Sequence, residues 1–242
     1  MSKELTVINN LFGGIATKQT AEELVALDNL SQGSDFLKRI QLYSKGKHVD
    51  KKLVEAGNFG VPLSAEKINQ LGETIDVLII DRRAKAIDMS DLENLIITYD
   101  STSEEFMRIE AASTTKDSGC SYGPSYLVFE RSTGKFYEFF CGSKSARIES
   151  SAINSYLPVT GRMIEAGVTD ETKTRGPKPC TLRAHLIETP RFTWHVPKAE
   201  DCLTPFAKLP TMEQIGEEVN KFRNPDEPEV EVVQADTRKR KR

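Results

Sequence analysis

Between Thr172 and Lys198 the chain sets six Lys/Arg and two His against one Glu, in a stretch that otherwise reads as β-strand. Two segments there, 181–188 and 191–196, alternate polar and apolar residues with the period of two that a strand imposes. Taken as strands, they put Arg183, His185, Arg191, Thr193 and His195 on one face and Leu182, Leu186, Phe192, Trp194 and Val196 on the other. A stripe of guanidinium and imidazole groups attracts a polyanion, and the phosphates of a nucleic acid are such a partner. Trp194, the sole tryptophan, lies within the stripe's strand, open either to a core position or to stacking on a base.

Two further groups of cations extend that chemistry. Arg82, Arg83 and Lys85 follow the apolar run 75–80, where the end of a strand can hold charges toward a phosphate backbone. Lys173, Arg175 and Lys178 sit in 167–179, a stretch with neither apolar period nor helix propensity that reads as a long exposed loop. Binding a single strand needs cations along the phosphates and π faces for the bases, and no reactive group.

Signatures of bond-breaking chemistry are thin. The chain has no H-E-x-x-H, no G-x-G-x-x-G and no carboxylate set spaced for two metals. Three histidines, His48, His185 and His195, leave few general bases, and no base is identifiable beside Cys120 in its Gly-rich loop. A protein without enzymatic activity and without a cofactor is the expectation. Cys120, Cys141, Cys180 and Cys202 form no C-x-x-C pair, which predicts free thiols. Cys180, His185, His195 and Cys202 contain zinc-ligand chemistry, but their spacing fits no usual zinc module.

The elements that must position these groups are short and mostly extended. Strand patterns recur at 36–43, 75–80, 95–99, 106–109, 126–130 and 136–141, ahead of the basic pair. A three-residue loop, Ser132-Thr133-Gly134 with Gly134 left-handed, would pair Arg131 with Lys135 and sort Leu127, Phe129, Tyr137 and Phe139 onto a core face. The opposite face then carries Tyr126, Val128, Glu130, Phe136, Glu138 and Phe140, an aromatic set suited to packing on a second sheet or, through Tyr126 and Phe136, to stacking on bases.

Helix signals are fewer. Thr20 with Glu23 opens a short helix to Leu30, Ser143 caps one that runs to Leu157, and Thr211 with Gln214 begins another whose Met212, Ile215, Val219 and Phe222 share a side. The sum is a mainly β protein with a few helices: an OB-like small barrel or a β-sandwich with long loops. Its division is a flexible segment 1–34, a β-rich domain 35–223 and a disordered tail 224–242.

Charge is unevenly spread along a chain whose formal net charge is only -3. From Ala199 to Thr237 ten Asp/Glu stand against three Lys/Arg, and the end is Arg238-Lys-Arg-Lys-Arg242. Such a tail buries too little apolar surface to fold alone. No apolar run approaches the roughly 20 residues of a membrane helix. The N-terminus lacks a secretory pattern, so a reducing cytoplasm, a host's if the protein is viral, is expected.

From Phe36 to Pro205 the strand order, the hairpin 126–141, the basic pair 181–196 and the acidic run 226–231 together resemble the phage-type single-stranded DNA-binding proteins. The resemblance is architectural and carries no residue-by-residue motif. It implies an OB-like barrel that binds single-stranded DNA without sequence preference in replication or recombination. Replication or recombination proteins, and a second copy of the chain, are its implied partners. The basic terminus departs from the family, whose tails end acidic or aromatic, and puts tail-mediated recruitment in doubt. The alternative is a β-rich assembly protein, such as a virion component, whose aromatic face and last helix meet other subunits.

Overall fold

The structure is a computed structural model and describes residues 37–224, apart from 65, 92–94 and 116–117. The expected helix 20–30 and the tail beyond Asn224 lie outside the described residues. Fourteen elements follow in order: β1 (Arg39–Leu42), α1 (Lys47–Asp50), β2 (Phe59–Ser64), β3 (Lys67–Gly72), β4 (Thr74–Asp88), β5 (Ile96–Thr98), α2 (Glu104–Ala112), β6 (Cys120–Glu130), β7 (Lys135–Phe140), α3 (Lys144–Asn154), α4 (Gly161–Glu165), β8 (Pro179–Glu188), β9 (Thr193–Asp201) and α5 (Met212–Arg223). None of these helices is long and apolar enough to cross a membrane.

The fold is mainly β, as expected, but its strands make one open mixed sheet in the order β3-β2-β1-β7-β6-β4-β8-β9, with β5 beside β4. Only β1 and β7 run parallel. Among the described residues no ladder closes it into the expected barrel. The sheet curls instead, until β9 meets the segment after β1, where the His195 N–H donates to Ser44 Oγ at 2.7 Å. Pro197 suits β9 to the edge, since a proline has no N–H to give a further strand.

Both faces are covered, which is why 77–80 of β4 and 126–129 of β6 read as continuous apolar runs. Val77 and Ile79 join Tyr126, Val128, Tyr137, Phe139 and Leu182 in the core beneath α3. Leu78 and Ile80 pack with Leu127, Phe129, Ile215 and Phe222 under α5. Burial at about 25 cal/mol per Å² of apolar surface makes these two layers the main stabilising term.

The hairpin β6–β7 departs from its expected register. Glu130 pairs with Lys135, so the loop is four residues, with Gly134 left-handed at φ 64°. The buried Glu130 carboxylate produces this length, accepting from the Ser132 and Thr133 N–H groups and from the Ser132 hydroxyl. One extra loop residue moves partners by one: Tyr126, Val128, Tyr137 and Phe139 share a face, and Leu127 faces Glu138.

The expected strand 106–109 is α2 instead, capped by Ser103, whose hydroxyl accepts from the Phe106 N–H at 3.2 Å. Ser143 caps α3, and Thr211 with Gln214 closes the capping box of α5, both as the sequence indicates. Strands β2 and β3 have no strong sequence signature: glycines and polar residues interrupt their apolar pattern.

Candidate nucleic-acid interface

Strand β8 pairs with β4 only through Pro179–Arg183; beyond it, His185–Glu188 and Thr193–Val196 pair with each other alone. The result is a two-stranded ribbon continuing past the sheet. Its turn is closed by Thr189, whose N–H donates to the Phe192 carbonyl at 2.9 Å and whose hydroxyl accepts from the Phe192 N–H at 3.0 Å. Arg191 and Phe192 thus sit at the tip and not in a strand, and the Phe192 side chain is left 66% exposed.

Glu188 opposes Thr193, so odd-numbered residues of β8 face even-numbered residues of β9. Arg183 stands opposite Lys198, His185 opposite Val196 and Ile187 opposite Trp194. The expected single stripe is therefore divided: His195 opposes Leu186 on the other face, against Gly57 and Ser44. A Cβ on Gly57 would lie 2.9 Å from His195 Nε2, so the imidazole packs where only a glycine, here with φ 90°, leaves room. Trp194 is half-buried and tethered, its indole N–H donating to Ser145 Oγ of α3 at 3.1 Å.

Lys178, Arg191 and Lys198 are exposed and make no ion pair among the described residues, as does Lys173 in its loop. Arg183 is exposed but bridged to Glu200 at 2.8 Å. Arg175 is a latch of the 167–179 loop: its guanidinium meets Glu171 and the carbonyls of Ser155, Leu157 and Gly176, and its backbone pairs with Val159. With its donors occupied, Arg175 is corrected from a phosphate ligand to a structural residue.

The Arg82–Lys85 cluster is likewise divided. A bulge between Ile79 and Asp81 shifts the alternation of β4, so Arg83 and Lys85 turn to the side of Leu127 and Glu138 while exposed Arg82 lies opposite Tyr126. Lys85 is 0% exposed and its Nζ lies 2.6 Å from Glu138. Arg83 and Arg39 each reach the same carboxylate at 3.1 Å, and Ser125 donates to it at 2.7 Å.

Arg83 is also stacked, its guanidinium carbon 3.6 Å from the Tyr99 ring centroid and 4.3 Å from that of Phe222, and one of its N–H groups donates to the Phe222 carbonyl. Burial alone would push the Glu138 carboxyl up, but the adjacent Lys85 ammonium, the Ser125 hydroxyl and Arg39 hold it down at about 2. Burial pushes the Lys85 ammonium down to about 8 against the pull of Glu138. Three cations sharing one buried anion form an internal support for α5, and Arg83 and Lys85 have no free face for a phosphate.

Tyr126 is corrected too. Its ring is buried in the core and its hydroxyl donates toward Asn154 Oδ1 at 2.8 Å and the Ser150 carbonyl at 3.1 Å, so no base can reach it. Phe136 is half-buried edge-on against Phe129, with ring centroids 5.2 Å apart. All four cysteines are free, and among the described residues no three of His, Cys, Asp and Glu gather as a metal would need.

The surface that remains joins Arg191 and Phe192 at the tip of the ribbon to His185, Lys198 and Arg183 along one of its faces. Phe192 and Lys198 escape a reading by alternation, since both depend on where the turn ends. No protein-family model matches the chain, and no curated protein or solved structure matches it either.

Proposed function

We propose that this chain binds single-stranded DNA with little sequence preference, covering it during replication or recombination without covalent chemistry. The observation that carries this is the β8–β9 ribbon, which extends beyond β4 with exposed Arg191 and Phe192 at its tip and exposed Lys198 and His185 along it. An exposed ring beside unpaired cations is the combination that holds an unpaired base and its phosphate. The barrel of the phage-type proteins is not needed for this, because the ribbon itself presents the groups.

The test is fluorescence anisotropy with labelled dT20, a matched duplex and a matched RNA at two salt concentrations. Tighter binding to dT20, weakening with a log–log salt slope of about -0.7 for each phosphate contacted, is the expected result. A chain that binds none of the three at low salt, and instead forms a stable oligomer, would overturn the proposal in favour of an assembly role.

A further inference from the structure

A cleft of about 700 Å³ opens between the end of α2 and the first turn of α3. Its volume falls within the roughly 300–1,000 Å³ of small-molecule sites. Tyr122 and Phe140 supply aromatic walls, Lys144 and Arg147 supply cations, Thr114 stands at its α2 side, and no carboxylate lines it among the described residues.

Local structure holds the walls in place. The Arg147 guanidinium lies 4.0 Å from the Tyr122 ring centroid, and its Nη1 amino group donates to the Tyr122 and Gly142 carbonyls at 2.9 and 2.7 Å. Phe106 of α2 meets Tyr122 edge-on from another side, with centroids 6.2 Å apart. Gly123 permits the approach of Arg147, since a Cβ there would run into the Cys141 carbonyl and crowd the Arg147 side chain. Lys144, by contrast, is exposed and makes no ion pair among the described residues.

The start of α3 links the cleft to the ribbon, since Lys144 lines the one and Ser145 contacts the other. Ser145, which holds the Trp194 indole of β9, is the neighbour of Lys144 at the cleft. Resting on the single-strand proposal above, we infer that the cleft seats one unpaired nucleotide of the bound strand, its base against Tyr122 and Phe140 and its phosphate on Lys144. A base held in a duplex cannot enter, so the cleft is the source of preference for single strands, while the ribbon supplies affinity for any phosphate backbone.

Two substitutions test this in the full chain. Thr114→Phe fills the cleft without changing charge, and Lys144→Glu reverses its free cation at a helix position where an acidic residue suits the dipole, so the fold is kept. Circular dichroism melts check the second point. Thr114→Phe is expected to weaken dT20 binding about tenfold while leaving duplex binding and the salt slope unchanged. Lys144→Glu is expected to weaken dT20 binding and lower the slope by about the 0.7 of one single-strand phosphate. Free dTMP should displace dT20 better than inorganic phosphate at equal ionic strength.

Equal displacement by phosphate, or dT20 binding that needs Arg191 but ignores both cleft substitutions, would overturn the inference and leave the single-strand proposal standing. Absence of dT20 binding by the unsubstituted chain would overturn both. So would dTMP binding in the cleft without binding of the oligonucleotide, which would make it a small-molecule site.

Discussion

Glu138 is the residue on which most of the internal electrostatics depends, because among the described residues it alone pairs with Arg39, Arg83 and Lys85. Removing it leaves three cations facing a neutral group, one of them fully buried. Breaking a buried pair in this way costs about 3–5 kcal/mol, and Glu138→Gln should lower urea-unfolding stability by that order. Lys85→Met should cost far less, since Glu138 keeps two guanidinium partners and Ser125.

The pH dependence has a definite sign. The Glu138 carboxyl lies at about 2 in the folded chain against an ordinary 4.5, so its contribution is present above about pH 4.5 and lost as pH falls toward 2. Lys85 lies at about 8 against 10.5, so its burial cost is largest below about pH 8 and is relieved as pH rises toward 10.5. Glu138→Gln should flatten the acid limb of a stability–pH curve. Thiol chemistry offers a second test at this scale: burial pushes Cys141 and Cys180 up to about 12. Alkylation followed by mass spectrometry at pH 8 should therefore spare both in the folded chain and label them after unfolding.

At the scale of elements, the two hairpins teach the same lesson. Each strand pair is legible from alternation, yet each face assignment shifts by one residue, because Glu130 and Thr189 fold their own side chains into four-residue turns. A period of two turns that single residue into an exchange of faces, which is how His195 leaves the cationic stripe, whereas Tyr126 is buried because both faces of the sheet are covered. The ribbon tip yields a direct prediction. Phe192→Ser should weaken dT20 binding about tenfold, in the range of about 1–3 kcal/mol for a stacked base. Arg191→Glu should reduce the salt slope as well as the affinity. Neither should move the melting temperature by more than about 2 °C, since the Phe192 side chain is 66% exposed and Arg191 lies on the surface.

At the scale of the whole molecule, the acidic run Asp226–Glu231 begins three residues after Arg223, which ends α5 and pairs with Asp81 at 2.6 Å. If the proposed DNA binding holds, this polyanion on the same chain would compete with DNA for the cationic ribbon, an effect that salt screens. Deleting residues 225–242 should tighten dT20 binding several-fold at low salt and little at high salt; unchanged affinity at both would reject the competition.

By themselves, the residues of this chain determined what local chemistry can decide. Ser143 and Thr211 start helices because their hydroxyls satisfy free N–H groups; Gly134 takes the left-handed turn; apolar runs at 75–80 and 126–130 become central strands; and the basic stretch 181–198 becomes a strand pair. Strands β2 and β3 were not legible, because their pairing and not their composition makes them strands. Nor was the bulge that turns Lys85 inward, since one unpaired residue is set by the neighbouring strand. Only the tertiary structure decided that the sheet stays open, that Arg83, Lys85, Arg175 and Tyr126 serve the interior, and that Phe192 stands outside. The physical reason is common to all: a side chain's exposure follows from register and from what packs on it, and both are properties of contacts between residues distant in sequence.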